Sequence, residues 1–207
     1  MAYGIYENGA VIAAFVAPMR VISNKPIFVS DTLSLKRTTF SRSAQRWEIE
    51  TNLEPLVETA NTLFVNLVTK GKSETLTVLM PQNYAVTKKR TSTSTAPTAI
   101  AVAGASSASG IISTSDVVVA ANSGLIPKGS FIKFANHDKV YMTVSDLTNT
   151  GVLTIFPTLQ ATVSSTVFAF KDDVILKGIY DTDTITGMVY TDGIMMDMGT
   201  VKIVEKL

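Results

Sequence analysis

The sequence predicts a mainly β protein carrying one helix, and three features predict it. Hydrophobic residues make up 46% and charged residues 17% of the 207-residue chain, and Thr, Ser and Val take the place of the missing charge and of Leu, as they do in strands and turns. Short apolar runs recur, punctuated by Gly, Asn, Asp and Pro at intervals of about ten residues, the rhythm of a small barrel or sandwich. Only one stretch, from Leu53 to Val68, repeats its apolar residues at spacings of three and four, the period of a helix stripe.

Taken in order, the segment ahead of Thr32 reads as irregular. Its apolar run Ala10 to Met19 is uncharged but about half the length a bilayer requires, and Pro18 interrupts it, so no membrane span is expected. Glu7 is the only charge among the first eight residues, so no basic stretch precedes the run and no export signal is read. Thr32 to Leu53 reads as two antiparallel strands, the first with Leu33 and Leu35, the second with Trp47, Ile49 and Thr51, joined by the polar Ser41, Arg42, Ser43 and Ala44. Alternation puts Arg46, Glu48 and Glu50 on one wet face and Trp47 and Ile49 on the other.

The helix stripe comprises Leu53, Leu56, Val57, Ala60, Leu63, Phe64, Leu67 and Val68, about four turns. Pro55 is tolerated in its first turn, Glu54 and Glu58 favour its positive end, and Lys70 with Gly71 mark its exit. Glu74 to Met80 is the next strand, ended by Pro81, Gln82 and Asn83.

Between Thr87 and Thr98 the sequence TKKRTSTSTAPT loses hydrophobic periodicity, which marks a domain boundary near residue 88. The uncharged stretch Thr91 to Ser115 reads as linker plus strand, because its hydroxyls and backbone would be unsatisfied in hydrocarbon. Strand-like runs follow at Ile100 to Val102, Val117 to Ala120, Phe131 to Phe134, Val140 to Val144, Val152 to Phe156 and Phe168 to Phe170, none with helical spacing. Asn149, Thr150 and Gly151 suggest a tight hairpin between the runs ending at Leu147 and starting at Val152, and Asp172 with Asp173 closes the segment.

The final segment offers Val174 to Tyr180, Thr184 to Tyr190 and Thr200 to Val204, too little chain to bury a core alone. The economical arrangement pairs these strands with those before residue 87. Residues 1–87 plus 173–207 then form a discontinuous host domain and residues 88–172 an inserted β domain. On that arrangement, excising Lys89 to Lys171 leaves a folded host whose only tryptophan, Trp47, reports on the host core alone.

Three blocks carry a resemblance to a known family: SAQRWEIETNLEPL (Ser43 to Leu56), ETLTVLMPQ (Glu74 to Gln82) and KGSFIKFANHDKVYMTVSDLTNTGVLTIFPTL (Lys128 to Leu159). With the C-terminal strand order, they resemble the distal tail proteins of long-tailed bacteriophages, in the short form with an inserted OB-like domain. The resemblance implies a tail-tube-like β-sandwich flanked by an α-helix, with an inserted OB-like β-barrel. It also implies a homo-oligomer, a six-subunit ring at the distal end of the virion tail, made in the host cytoplasm and joining the tail tube protein to hub or baseplate proteins. DNA would cross such a ring in transit, without specific binding and without a membrane or cofactor. Some related proteins carry a sugar-binding module, so a carbohydrate-binding receptor-recognition module is the alternative. The aromatics Phe131, Phe134, Tyr141, Phe156, Phe168 and Phe170 alternate in a core-like way that argues against it.

The residues themselves assign no catalytic, cofactor or metal site, and the chain is expected not to be an enzyme. With no Cys and one His, disulfide scaffolds, zinc and iron–sulfur sites and Cys nucleophiles are excluded or nearly so. A net charge of +1 supplies no global field toward nucleic acid or anionic lipid. His137 beside Asp138 reads as a turn, because nothing supplies the other members of a triad. Asp181 and Asp183 begin like a calcium loop, but Ile185 replaces an oxygen ligand and Thr186 holds the glycine position. Lys88, Lys89 and Arg90 form the one basic run, without interleaved aromatics, and read as linker. Glu48 and Glu50 belong to a solvated face; in a ring they would be channel-facing carboxylates that keep passing DNA from sticking. Met195, Met196 and Met198 read as core, or in the sharper reading as a subunit contact. No glycine-rich phosphate loop is present.

Overall fold

The computed structural model describes residues 3–7, 9–31, 36–41, 44–55, 60–70, 73–82, 99–102, 113–121, 125–148, 150–163, 166–170, 174–181, 189–191, 194–197 and 199–207. Among them the chain is mainly β with one helix. The N-terminal strands are β1 (Gly4–Glu7), β2 (Ala10–Asn24), β3 (Ile27–Asp31), β4 (Arg37–Ser41) and β5 (Arg46–Pro55), followed by α1 (Ala60–Lys70) and β6 (Leu76–Leu79). Then come β7 (Ala99–Val102), β8 (Asp116–Ala121), β9 (Leu125–Ile126), β10 (Phe131–Phe134), β11 (Val140–Thr143), β12 (Leu147–Thr148), β13 (Gly151–Phe156) and β14 (Thr166–Phe170). The last are β15 (Ile175–Tyr180), β16 (Val189–Thr191), β17 (Ile194–Asp197) and β18 (Thr200–Glu205).

Two closed barrels result. The first runs β1-β2-β5-β18-β15-β6 and closes through β1 and β6; the second runs β10-β11-β13-β8-β7-β14 and closes through β10 and β14. Strands β15 and β18 follow the second barrel in sequence, yet they pair with β6 and β5 of the first. Period-two alternation buries one side of β15: Leu176, Gly178 and Tyr180 are buried while their neighbours are half-exposed. Ile5, Ile12, Ile49, Leu53, Leu76, Val78, Leu176 and Ile203 fill the first interior. Val117, Ile132, Phe134, Tyr141, Leu153, Ile155 and Phe168 fill the second. Each such side chain contributes about 1.5–3 kcal/mol of burial. Helix α1 buries Leu63 and Leu67 on the first barrel and is tethered by Asn66 Nδ2 and Lys70 Nζ, which donate to Glu7 at 3.0 and 3.3 Å.

The barrels meet through side chains of the first that satisfy backbone groups of the second. Trp47 Nε1 donates to Val140 O at 2.8 Å, and its ring meets Phe131 and Phe156 edge-on at 5.1 and 6.4 Å. Gln82 closes a two-way pair with Phe131, donating to its carbonyl at 3.2 Å and accepting its N–H at 3.1 Å. Glu205 accepts from Trp47 N at 3.0 Å, from Val140 N at 2.9 Å and from Lys139 Nζ. At the rim, Lys177 of the first barrel donates to Asp138 at 2.9 Å.

Several expectations are corrected. The N-terminal segment is not irregular: Gly4–Glu7 is a strand, and Ala10 to Met19 belongs to a 15-residue strand. The helix starts later than its periodicity suggests, because Leu53 is held extended in β5 opposite Phe15 of β2; Leu56, Val57 and Glu58 lie outside the described residues. The stripe is also narrower, since Phe64 and Val68 are exposed. Leu33 and Leu35 lie outside the described residues, and β4 pairs with β3 rather than with β5. Among the described residues β12 pairs with β9; Asn149 of the expected tight hairpin lies outside them. The first unit closes into a barrel, where a sandwich was expected. Trp47 is no private reporter of that barrel, because its indole meets Val140, Phe131 and Phe156 of the other. The basic run Lys88 to Arg90 lies outside the described residues.

Candidate assembly surface

β2 explains how an apolar surface comes to stand outside the barrels. Its first half is barrel wall, with Ile12 and Ala13 buried, and its second half, from Ala17 onward, is largely exposed. The change occurs at a bulge: Val16 faces Asn52 and Arg20 faces Glu50, so Ala17, Pro18 and Met19 oppose Thr51 alone. Pro18 has no N–H for the ladder, and a bulge is where a strand accommodates that. Beyond Asn24 the chain leaves the barrel as the ribbon β3–β4.

Every described residue of β3 is exposed, and among the described residues the ribbon's ladder joins only its own two strands. Phe28 and Phe40 are directly opposite each other and therefore share a face, with Ile27 and Val29 on the other. Their exposures, 53% for Ile27, 55% for Phe28, 45% for Val29 and 61% for Phe40, describe an apolar blade with both faces open. Met19 and Val21 extend it along β2. A two-stranded ribbon is at best marginally stable alone in water, and clustered exposed apolar residues of this kind point to an interaction site.

At the root of the ribbon lies a cavity of about 350 Å³ lined by Asn24, Pro26, Ala44, Gln45, Arg46 and Leu207. Gln45 is 2% exposed; its Nε2 donates to Ser23 Oγ at 3.1 Å, while its Oε1 has no partner among the described residues. An unpaired buried acceptor costs free energy until something donates to it. Lys25, also at the root, places Nζ over the Phe156 ring of the second barrel at 5.8 Å. A second exposed apolar group, Phe64, Val65 and Val68, lies on α1.

Other residues singled out by the sequence are placed differently. Glu48 is buried, not wet: Asn24 Nδ2 and Arg46 Nε donate to its Oε1 at 2.7 and 3.0 Å, and Lys202 Nζ to its Oε2 at 3.0 Å. Burial pushes its carboxyl up, and the bonds from Asn24, Lys202 and Arg46 more than reverse this, leaving it below the ordinary carboxylate value. Glu50 remains one-third exposed, with Arg20 at 3.9 Å. The structure thus separates two carboxylates that strand alternation puts together. Met195 and Met196 lie on β17, and Met198 is outside the described residues, as is Asp183. Asp181 pairs with Lys202 at 3.1 Å. Phe131, Phe134, Tyr141 and Phe168 are buried, so none of these four offers a sugar a stacking platform.

His137 stands in the turn between β10 and β11. Its Nδ1 faces Asn136 Oδ1 and its Nε2 faces Tyr141 Oη, both at 2.7 Å, and Tyr141 Oη accepts Gln160 N at 3.0 Å. The phenol hydrogen is free to donate to Nε2 of a neutral imidazole, the form that burial favours. Burial lowers the His137 pKa from 6.5; Asp138 opposes this and Lys133 adds to it. The ring orders a turn, with its two nitrogens engaged by Asn136 and Tyr141. Because the folded value is depressed, stability is full above pH 6.5 and falls with pH toward the folded value. Glu48 adds a second acid loss, from about pH 4.5 downward. Urea midpoints measured from pH 8 to 3.5 are expected to show both stages, and His137→Gln is expected to abolish the first; a flat profile down to pH 5 in the parent would contradict the assignment.

No family model matches the sequence, and no curated protein matches it. The functional reading therefore rests on this geometry and on the resemblance.

Proposed function

We propose that the chain is a structural ring subunit of a bacteriophage tail, a distal tail protein connecting the tail tube to the tip or baseplate hub and leaving a channel for DNA. One observation carries the reading: the blade formed by Ile27, Phe28, Val29 and Phe40, an apolar surface that a lone chain leaves in water. Closed barrels present no free edges, so the blade is the projecting element by which one copy reaches another. A ring requires this contact to be heterologous, the blade of one copy meeting a different surface of the next, such as the cavity at the ribbon's root or the exposed apolar group on α1. Repeated with the right rotation, a heterologous contact closes a ring. In this reading the first barrel is the tail-tube-like unit and the second the OB-like insertion. Glu50 remains the candidate channel carboxylate, and Glu48 serves the fold.

Negative-stain imaging and sedimentation of the purified chain, alone and mixed with tube and hub proteins from the same virion, are expected to give rings. Phe28→Ser with Phe40→Ser is expected to weaken association at least about a hundredfold, since two Phe burials are worth about 1.5–3 kcal/mol each, while thermal unfolding stays as in the parent. A parent that stays monomeric in both settings, or rings that survive the double substitution, would count against the reading.

A further inference from the structure

The Lys139 and Glu205 side chains are 1% and 0% exposed, the most deeply buried ion pair among the described residues, and they come from different barrels. A buried pair is poor at adding stability, because desolvation offsets its attraction, but it is good at specifying one arrangement. Glu205 is well suited to that second role. One oxygen accepts from Trp47 N of the first barrel and Lys139 Nζ of the second, and the other accepts from Val140 N of the second. Strand pairing explains why: β18 follows β5 through Val204 opposite Glu48, so the next side chain on β18 reaches the Trp47 N–H. Beside it, Gln82 satisfies both backbone groups of Phe131, and Trp47 caps the Val140 carbonyl. Any swing of one barrel against the other breaks these directional bonds together.

We propose that Glu205 is a conformational lock holding the two barrels as one rigid body, so that the second barrel is presented at a single angle. Relative motion is the default for two units on one chain; here the carboxylate removes it. The ribbon shares this fixed frame, because its root contacts Phe156 through Lys25 and runs into β5 at Arg46. The inference does not depend on the ring reading.

The chain has no native cysteine, so Thr62→Cys on α1 and Gln160→Cys on the second barrel, both exposed positions, can carry a spin-label pair. Dipolar spectroscopy on the otherwise unaltered chain is expected to give one narrow distance distribution. Glu205→Gln, which keeps an acceptor but loses the charge, is expected to broaden it at least twofold, and Lys139→Met to broaden it less, because both backbone donors to Glu205 remain. Asp138→Asn, at the exposed rim pair with Lys177, is expected to change nothing. A broad or two-peaked distribution in the unaltered junction overturns the proposal by itself, whatever the variants do. A Glu205→Gln chain with native Trp47 emission and the parent's narrow distribution overturns it equally.

Discussion

Replacing Lys89 to Lys171 with a short Gly/Ser linker is expected to destabilise the first barrel by about 3–5 kcal/mol, the cost of losing the surroundings of a buried tryptophan. Trp47 emission is expected to shift to the red. Sequence organisation alone argues the opposite, since the excised segment forms a barrel of its own and the helix and strands of the first barrel all remain. The difference lies at the junction. Phe131, Phe156, Met142 and Val140 pack into the same apolar cluster as Trp47, Ile49 and Ile203, so excision uncovers the first core. It also strips Glu205 of Lys139 and Val140 N, and Gln82 of both its backbone partners. Set against the 5–15 kcal/mol that typically holds a domain together, a loss of this size leaves a chain that melts early. Urea denaturation of the shortened chain followed by Trp47 fluorescence decides the matter. A blue-shifted signal with the parent's midpoint would show that the first barrel needs nothing from the second.

What the sequence discloses and what it hides divide along a physical line. Strands β13 and β15 were readable because each alternates locally and buries one face against its own barrel; β6, β10, β11 and β18 were readable as short apolar runs, and β10 and β11 also turn Phe131 and Val140 to the first core. Leu53 misleads because it fits a helical spacing with Leu56 and Val57, while its ladder to β2, opposite Phe15, keeps it extended; tertiary pairing overrides a local period. Glu48 misleads for a related reason: alternation puts it on the outer face, but the donors that accompany its burial, Asn24 and Lys202, are distant in sequence. The blade is the hardest feature. Ile27, Phe28 and Val29 are three consecutive apolar residues, which usually signal a buried strand. That both faces stand in water is visible only once the barrels have closed without them. The one available signal was the charge and hydroxyl content of the stretch from Lys36 to Ser43, which suits an exposed partner strand better than a core one.

Gly4→Ala is expected to be the most damaging single methyl in the first barrel, costing about 3 kcal/mol, the upper end for an overpacked core. Gly4 sits on β1 between Ala14 of β2 and Leu79 of β6, where the barrel closes. A Cβ there would lie 1.9 Å from Ala13 O and 2.9 Å from both Ala13 C and Val11 Cγ1. The first of these is a ladder carbonyl on a fully buried residue, not the end of a flexible side chain, so relief requires β1 and β2 to separate. Separation frees both neighbours of β1, because Ile5, itself fully buried, pairs with Ala13 on one side and Val78 on the other. Hydrogen exchange is therefore expected to accelerate along β1 and β6, while β10 and β11 keep their protection. Gly9→Ala supplies the control. Gly9 has φ of 88° in the β1–β2 turn, and nothing lies within 4 Å of its added methyl, so only the left-handed backbone is strained, at about 1 kcal/mol. Urea midpoints of the two variants should differ by that contrast. Equal losses would mean that the close approach of β1 to β2 is not what seals the barrel.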